Sequence, residues 1–215
     1  ADPQVWAALL GRMPATALIR NLATMTRVGL LTPTSDGTRD VVAKLADGEW
    51  LKGSRVHPVQ VLAAELTYAA GRSARGSNEW VPVPQIVDAL DEAFYAAFGN
   101  VEATGKRFLL GLDVSGSMDG GECAGIPGLT PRVGSAAMAM VTAATGDPYE
   151  CVAFTGGGYY GRNSDADNLT PFPLSKRQRL DDVCRNMSGL PFGGTDCALP
   201  MLYALKHERE VDAFV

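Results

Sequence analysis

At 215 residues the chain is long enough for one large domain or two smaller ones with a filled core. Hydrophobic residues make up 46% and charged residues 20%, an ordinary globular balance, and no apolar run approaches the roughly 18–20 residues of a membrane span. The net charge of −5 is uneven: residues 1–107 hold 11 Lys/Arg and 11 Asp/Glu, whereas residues 108–215 hold 8 and 13. An acidic second half favours cations and repels phosphate backbones, so any nucleic-acid contact is expected on the first half.

The start, ADPQVWAALLGRMP, has neither a basic leader nor an unbroken apolar stretch and does not read as a signal peptide. It opens mid-pattern, as expected if a further segment precedes it. Residues 5–10 begin a helix, and Thr16 to Val28 form another, with apolar residues at 18, 19, 22, 25 and 28 between Pro14 and Gly29. A shorter helix is expected over 38–47. HPVQVLAAELTYAAG opens at Pro58 and closes at Gly71, a polar loop covers 72–82, and PQIVDALDEAFYAAFG runs from Pro84 to Gly99. Five helices without a strand suggest stacked helical pairs over 1–105, although no clean repeat period supports this alone.

At Lys106 the period changes. RFLLGLDV reads as a strand buried on both faces, 132–145 as a small-residue helix, and YECVAFT at 149–155 as a second strand. A Gly-rich loop at 156–168 precedes two helices, KRQRLDDVCRNMSG and DCALPMLYALKHERE, and VDAFV begins a third strand. The alternation predicts a doubly wound parallel α/β sheet over 106–215. Three strands would leave an open apolar edge, so more chain is expected to follow. The four cysteines, at 123, 151, 184 and 197, contain no CxxC pair and so do not read as a zinc site. Cys151 and Cys184 fall on apolar stretches and are expected to be buried thiols. A reducing, cytoplasmic setting is the simplest reading, with two bridges still compatible with the count.

The chemistry concentrates where the first strand ends. Asp113-Val-Ser115-Gly-Ser117-Met118 sets one carboxylate and two hydroxyls in one turn, at the carboxyl end of a parallel strand where open α/β sheets bind ligands. Downstream, Gly193-Gly194-Thr195-Asp196 offers another hydroxyl after Pro191-Phe192 and just before a helix. Oxygen-only donors suit a hard divalent cation, magnesium first, with manganese or calcium as alternatives. One carboxylate leaves such an ion under-neutralised and in need of an outside anion. Asp196 is expected to cap the helix rather than ligate. Asp119 and Glu122, in the inserted loop DGGECAGIPGLTP, are expected to be solvated, and that loop would shape access to the ion.

Enzymatic readings find little support. Position 115 is Ser where a phosphoryl-transfer site would want a second Asp, no GxSxG surrounds Ser115, and GGTDCA lacks the Lys of a P-loop. His57, just before Pro58, reads as structural, and His207 lies far along the chain from a Ser–Asp pair.

The pair DxSxS and loop Thr resembles the metal-ion-dependent adhesion site of von Willebrand A-type domains. That resemblance implies direct binding by Ser115 and Ser117, binding by Thr195 directly or through water, an orienting role for Asp113, and a later Asp beyond the VDAFV strand. The whole chain resembles the Ro ribonucleoprotein, or TROVE, family, most of all in HPVQVLAAELTYAAG and ALDEAFYAAFGNVEATGKRFLLGLDVSGSM, with ALIRNLATMT and GGTDCALPM in the same pattern. The resemblance implies a ring of HEAT-like helical repeats closed by the A-type domain. It also implies binding of Y RNAs and of defective small noncoding RNAs, and action with exoribonucleases in RNA turnover and stress survival. The main RNA-contacting repeats are then expected upstream of residue 1. Arg20, Arg27, Lys52, Arg55, Arg72 and Arg75 are the candidates for phosphate contact within the chain, each with an alternative reading as a solvated charge. Two readings of function follow: a noncoding-RNA-binding scaffold with a divalent-metal site, or an A-domain module that grips an acidic partner residue through the metal without RNA.

Overall fold

A computed structural model of the chain describes residues 2–156, 168–190 and 193–215. It divides into two compact units, Ala1–Val101 with Ala124–Gly128, and Glu102–Cys123 with Leu129–Val215. The predicted Gly-rich loop falls almost wholly on residues 157–167, and Pro191-Phe192 also lie outside the described residues. Among the described residues no helix is long and apolar enough to cross a membrane.

The first unit is helical: α1 Pro3–Leu10, α2 Ala15–Arg27, α3 Asp36–Ala46, α4 Gly48–Ser54, α5 Pro58–Ala69 and α6 Pro84–Ala96, the last running on into a 3-10 turn at Ala97–Asn100. Local chemistry sets the helix starts. Asp2, Ser35 and Asp47 each accept a backbone N–H in the first turn of the helix they precede, and Pro stands at the start of α1, α5 and α6. His57 caps α5, its Nδ1 accepting from the Val59 N–H at 3.2 Å, which is the structural role its position implied. The stripe on α2 is buried through Leu18, Ile19, Leu22 and Met25.

Helix α4 is the element the hydrophobic pattern did not reveal. It is seven residues long, contains Gly48 and Gly53, and stops at Arg55, which adopts left-handed φ of 53°. Its propensity is poor, and tertiary bonds hold it: Leu51 is buried, and the Asn100 side-chain amide donates to the carbonyls of Leu51 (3.1 Å) and Val56 (2.8 Å). Buried Tyr68 organises the loop after α5. Its hydroxyl lies 2.8 Å from Thr26 Oγ1 and accepts from the Val83 N–H, while Trp80 stacks on its ring and donates Nε1–H to its carbonyl at 2.9 Å. Residues 124–128 of the inserted loop belong to this unit, with Ile126 lining a hollow between α2 and α5.

The second unit is a sheet of β1 Phe108–Asp113, β2 Tyr149–Phe154, β3 Leu169–Pro171 and β4 Ala213–Phe214 in the order β3-β2-β1-β4, with helices α7 Pro131–Ala144, α8 Leu180–Ser188 and α9 Leu199–Lys206. β1 pairs in parallel with both β2 and β4, as expected for the doubly wound reading. Strand β3 corrects the three-strand, all-parallel expectation, because it runs antiparallel to β2 at the edge. Its three residues, Leu-Thr-Pro, carry too little alternation to signal a strand, and a proline fits only such an edge. The last two helices are shorter than the apolar pattern implied, α8 starting at Leu180 after a turn and α9 at Leu199. Cys151 is buried as expected, but Cys184 is only half-buried; all four thiols are free.

Polar clamps close the end of this sheet opposite the site. Asp147 is buried and accepts from the backbone N–H groups of Thr104 and Gly105, both at 2.8 Å, and from the Thr104 and Thr145 hydroxyls; these donors hold its carboxyl below the usual carboxylate range. Asp212, just before β4, receives the Arg107 backbone N–H at 2.8 Å and the Arg107 guanidinium at 3.0 Å on each oxygen, which lowers its pKa to about 2. A carboxylate depressed in the folded state contributes stability that is complete above its unfolded pKa of about 3.9 and is lost as pH falls toward the folded value. The melting temperature should therefore drop between pH about 4 and about 2. Asp212→Asn should lower it at pH 7 and flatten that part of the profile in thermal scans, whereas parallel profiles for the two proteins would contradict the assignment.

Candidate functional site

Parallel pairing puts Asp113, the last residue of β1, level with Phe154, the last of β2. Both chains therefore leave the sheet at one edge, the carboxyl end where loops meet in open α/β sheets. The Val114 N–H continues the ladder by donating to the Phe154 carbonyl at 3.0 Å. Beyond it the chain bends into a 3-10 turn, Gly116–Asp119, in which the Met118 N–H donates to the Ser115 carbonyl at 3.1 Å.

The four residues singled out by pattern come together here. Asp113 Oδ1 accepts from the Ser115 N–H at 2.7 Å, which turns the carboxylate into its own loop. Ser115 is buried, and its Oγ lies 3.1 Å from Ser117 Oγ. Thr195, 82 residues further on, directs its hydroxyl at Asp113 Oδ2 from 3.5 Å. One carboxylate and three hydroxyls thus gather at this edge, two oxygen–oxygen contacts being joined through the Ser115 backbone N–H. Among the described residues no group of three or more His, Cys, Asp or Glu is placed to hold a metal ion, so a cation at this cluster would rest on hydroxyls and a single carboxylate. Ser115, Ser117 and Thr195 would hold the ion, and Asp113 would supply the one negative charge while bracing the serine loop. Asp196 Oδ1 accepts from the Ala198 N–H at 3.0 Å in the turn ahead of α9, whose own N-cap is Ala198 with no side-chain cap bond.

Sequence reasoning missed the residue that delivers Thr195. Thr155 directly follows β2 and is buried; its Oγ1 donates to the Gly194 carbonyl at 2.9 Å and accepts from the Gly193 N–H at 2.8 Å. The two backbones touch through the Gly156–Gly194 bridge. A Cβ on Gly156 would sit 2.7 Å from Gly194 C and Thr195 N, and one on Gly193 would sit 2.8 Å from the Gly156 carbonyl oxygen, so both positions require glycine. A hydroxyl at the carboxyl end of the second parallel strand was the available signal. Asp119 corrects a second expectation: its carboxylate is not merely solvated but pairs with the buried Arg132 guanidinium on α7, Arg132 Nη2 donating to Oδ2 at 2.7 Å.

The six candidate phosphate contacts are all exposed and are spread over the helical unit. Arg20 and Arg27 stand on α2, Lys52 on α4, Arg55 directly after it, and Arg72 and Arg75 in the loop before Trp80. Arg20 borders a hollow of about 300 Å³ with Ile19, Ala64, Thr67 and Trp80, and Arg27 borders another of about 410 Å³ that shares Trp80. Lys52, Arg55, Arg72 and Arg75 line neither hollow.

Thr155→Val keeps the shape and removes both bonds to the glycine loop. It should cost roughly 1–3 kcal/mol in chemical denaturation and raise deuterium uptake at 193–196, while unchanged uptake there would remove Thr155 from the site.

Comparison with known proteins places this geometry. The Ro60 vWA domain family matches residues 107–215, and the TROVE domain family matches residues 1–67. The RNA-binding protein RO60 of Deinococcus radiodurans is 42% identical over 213 residues, covering 99% of this chain and 38% of the relative. The RNA-binding protein RO60 of Caenorhabditis elegans is 40% identical over 223 residues, covering 98% of this chain and 31% of the relative. The crystal structure of the Deinococcus radiodurans RO (RSR) protein superposes with a TM-score of 0.88 at 40% identity, over 99% of this chain and 41% of that one. The chain spans well under half the length of these relatives, and within that span the sheet that carries the hydroxyl cluster is a Ro60-type von Willebrand A domain preceded by TROVE helices: the chain belongs to the Ro60 family.

Proposed function

We propose that the chain is the metal-bearing part of a noncoding-RNA-binding scaffold, in which the Asp113 cluster holds a divalent cation, magnesium in the first instance, that receives an anionic oxygen from a partner. The observation that carries the metal reading is the convergence of Asp113, Ser115, Ser117 and Thr195 through contacts of 2.7, 3.1 and 3.5 Å at one end of the sheet. A bound ion would supply a Lewis-acidic anchor, and a single carboxylate leaves it short of charge, so an outside carboxylate or phosphate completes it. The role is binding rather than catalysis. Among the described residues the hydrogen bonds of the cluster involve no histidine, and His57 Nδ1 is engaged as a helix cap.

The RNA reading is supported by the names of the relatives, both RNA-binding proteins, and by the TROVE match over residues 1–67. We extend it to Y RNA-like and misfolded small RNAs, with an exoribonuclease or other protein presenting the anion at the metal site, in RNA quality control and stress response. Exposed Arg20 and Arg27, seven residues apart on one face of α2, are the first phosphate contacts to test. The acidic balance of residues 108–215 disfavours RNA on that unit, and the second reading for it is a module that grips an acidic protein side chain through the metal alone.

Calorimetric titration with magnesium should show binding to the wild type and a loss of roughly tenfold or more in affinity for Ser117→Ala; equal heats would reject the metal assignment. Filter binding to a hairpin RNA should weaken steeply as salt rises and weaken further in Arg20→Ala/Arg27→Ala. No retention at low salt would leave the acidic-partner reading standing.

A further inference from the structure

The turn that carries Ser117 is anchored at both ends, and the far anchor is unusual. Arg132, in the first turn of α7, is only 4% exposed, which is rare for a guanidinium unless it is paired. Its Nε and Nη2 grip the two carboxylate oxygens of Asp119, the last residue of the Gly116–Asp119 turn. Its Nη1 is buried and meets no partner among the described residues. The Asp119 side chain is 59% exposed, so the pair sits at the solvent boundary, and drawing the guanidinium inside leaves one buried donor unsatisfied, which costs stability. Stability alone therefore does not account for it, and position does.

At the near end, Asp113 Oδ1 holds the Ser115 N–H and the Ser115 carbonyl holds the Met118 N–H. At the far end the Gly120 N–H to Ser117 carbonyl bond, at 3.2 Å, and the Asp119–Arg132 fork restrain the turn. A single 3-10 turn of four residues with two glycines nearby is marginal by itself, and Ser117 Oγ would wander. The fork is bidentate and planar, so it fixes direction as well as distance.

We propose that Arg132, acting through Asp119, is the positioning residue that presents Ser117 to the divalent cation. This rests on the cation reading above. The pair is neutral overall, so it tunes geometry without adding charge to the site, and it ties cation affinity to the packing of α7. Outer partners of metal ligands ordinarily change affinity by about 10–100-fold, and that range is expected here.

The test follows Mn²⁺ binding, read from the free-ion electron paramagnetic resonance signal, and deuterium uptake of residues 114–120 without metal, in the wild type, Asp119→Asn and Asp119→Asn/Arg132→Gln. Both variants should bind Mn²⁺ about 10–100-fold more weakly and exchange faster at 115–119, with β1 and β2 unchanged and circular dichroism native. The double variant has the same local net charge as the wild type, so its loss reads position rather than charge. If it does not fold, Asp119→Glu, which keeps the charge and lengthens the arm, serves in its place. Wild-type-like affinity in the folded variants overturns the positioning role while leaving the cation site intact. Failure of the wild type itself to bind Mn²⁺ overturns the cation reading and this proposal together, and is distinguished by that first measurement.

Discussion

The parallel ladder between β1 and β2 is the constraint on which the site depends. Its register ends both strands at the same level, Asp113 beside Phe154, so the loops that follow leave from adjacent points on one edge. Ser115 and Ser117 arrive from the first loop, and Thr155 at the close of the second strand captures the glycine loop that carries Thr195. A shift of this register by one residue would turn Asp113 to the other face and separate the donors. Backbone hydrogen bonding, rather than attraction between the site residues, therefore assembles the cluster.

Carboxylates at the two ends of the sheet are engaged differently. Asp147 collects four hydrogen bonds, two of them from backbone N–H groups, and Asp212 binds Arg107 through both oxygens. Both carboxylates are engaged in holding the fold. Asp113 differs. Among the described residues its partners are one backbone N–H and one long hydroxyl contact, which leaves oxygen lone pairs to share. The distinction between a structural and a ligand-ready carboxylate lies in that inventory of partners.

The helical unit follows a different logic. Caps and prolines delimit its helices locally, and its apolar stripes bury Leu18, Leu22, Leu45, Ile86 and Phe94. Its basic residues stay on the outside, against the acidic balance of the sheet unit.

The family, the change from helical to strand period near Lys106, and the four donors of the candidate site were legible in the residues themselves, because each depends on local spacing. DxSxS after an apolar run dictates its own turn, and Pro, Ser, Asp and Gly mark helix ends whatever the rest of the chain does. Helix α4 and strand β3 were not legible. Seven residues with two glycines and a three-residue strand ending in proline have no periodicity to read, and they exist only because Asn100 and β2 supply distant partners. The same holds for Thr155 and for the Asp119–Arg132 pair: a threonine at a strand end and an arginine in a helix are unremarkable until folding brings Gly193 or Asp119 within hydrogen-bond reach. Spacing along the chain decided which groups could bind, and tertiary contact decided what holds them in place.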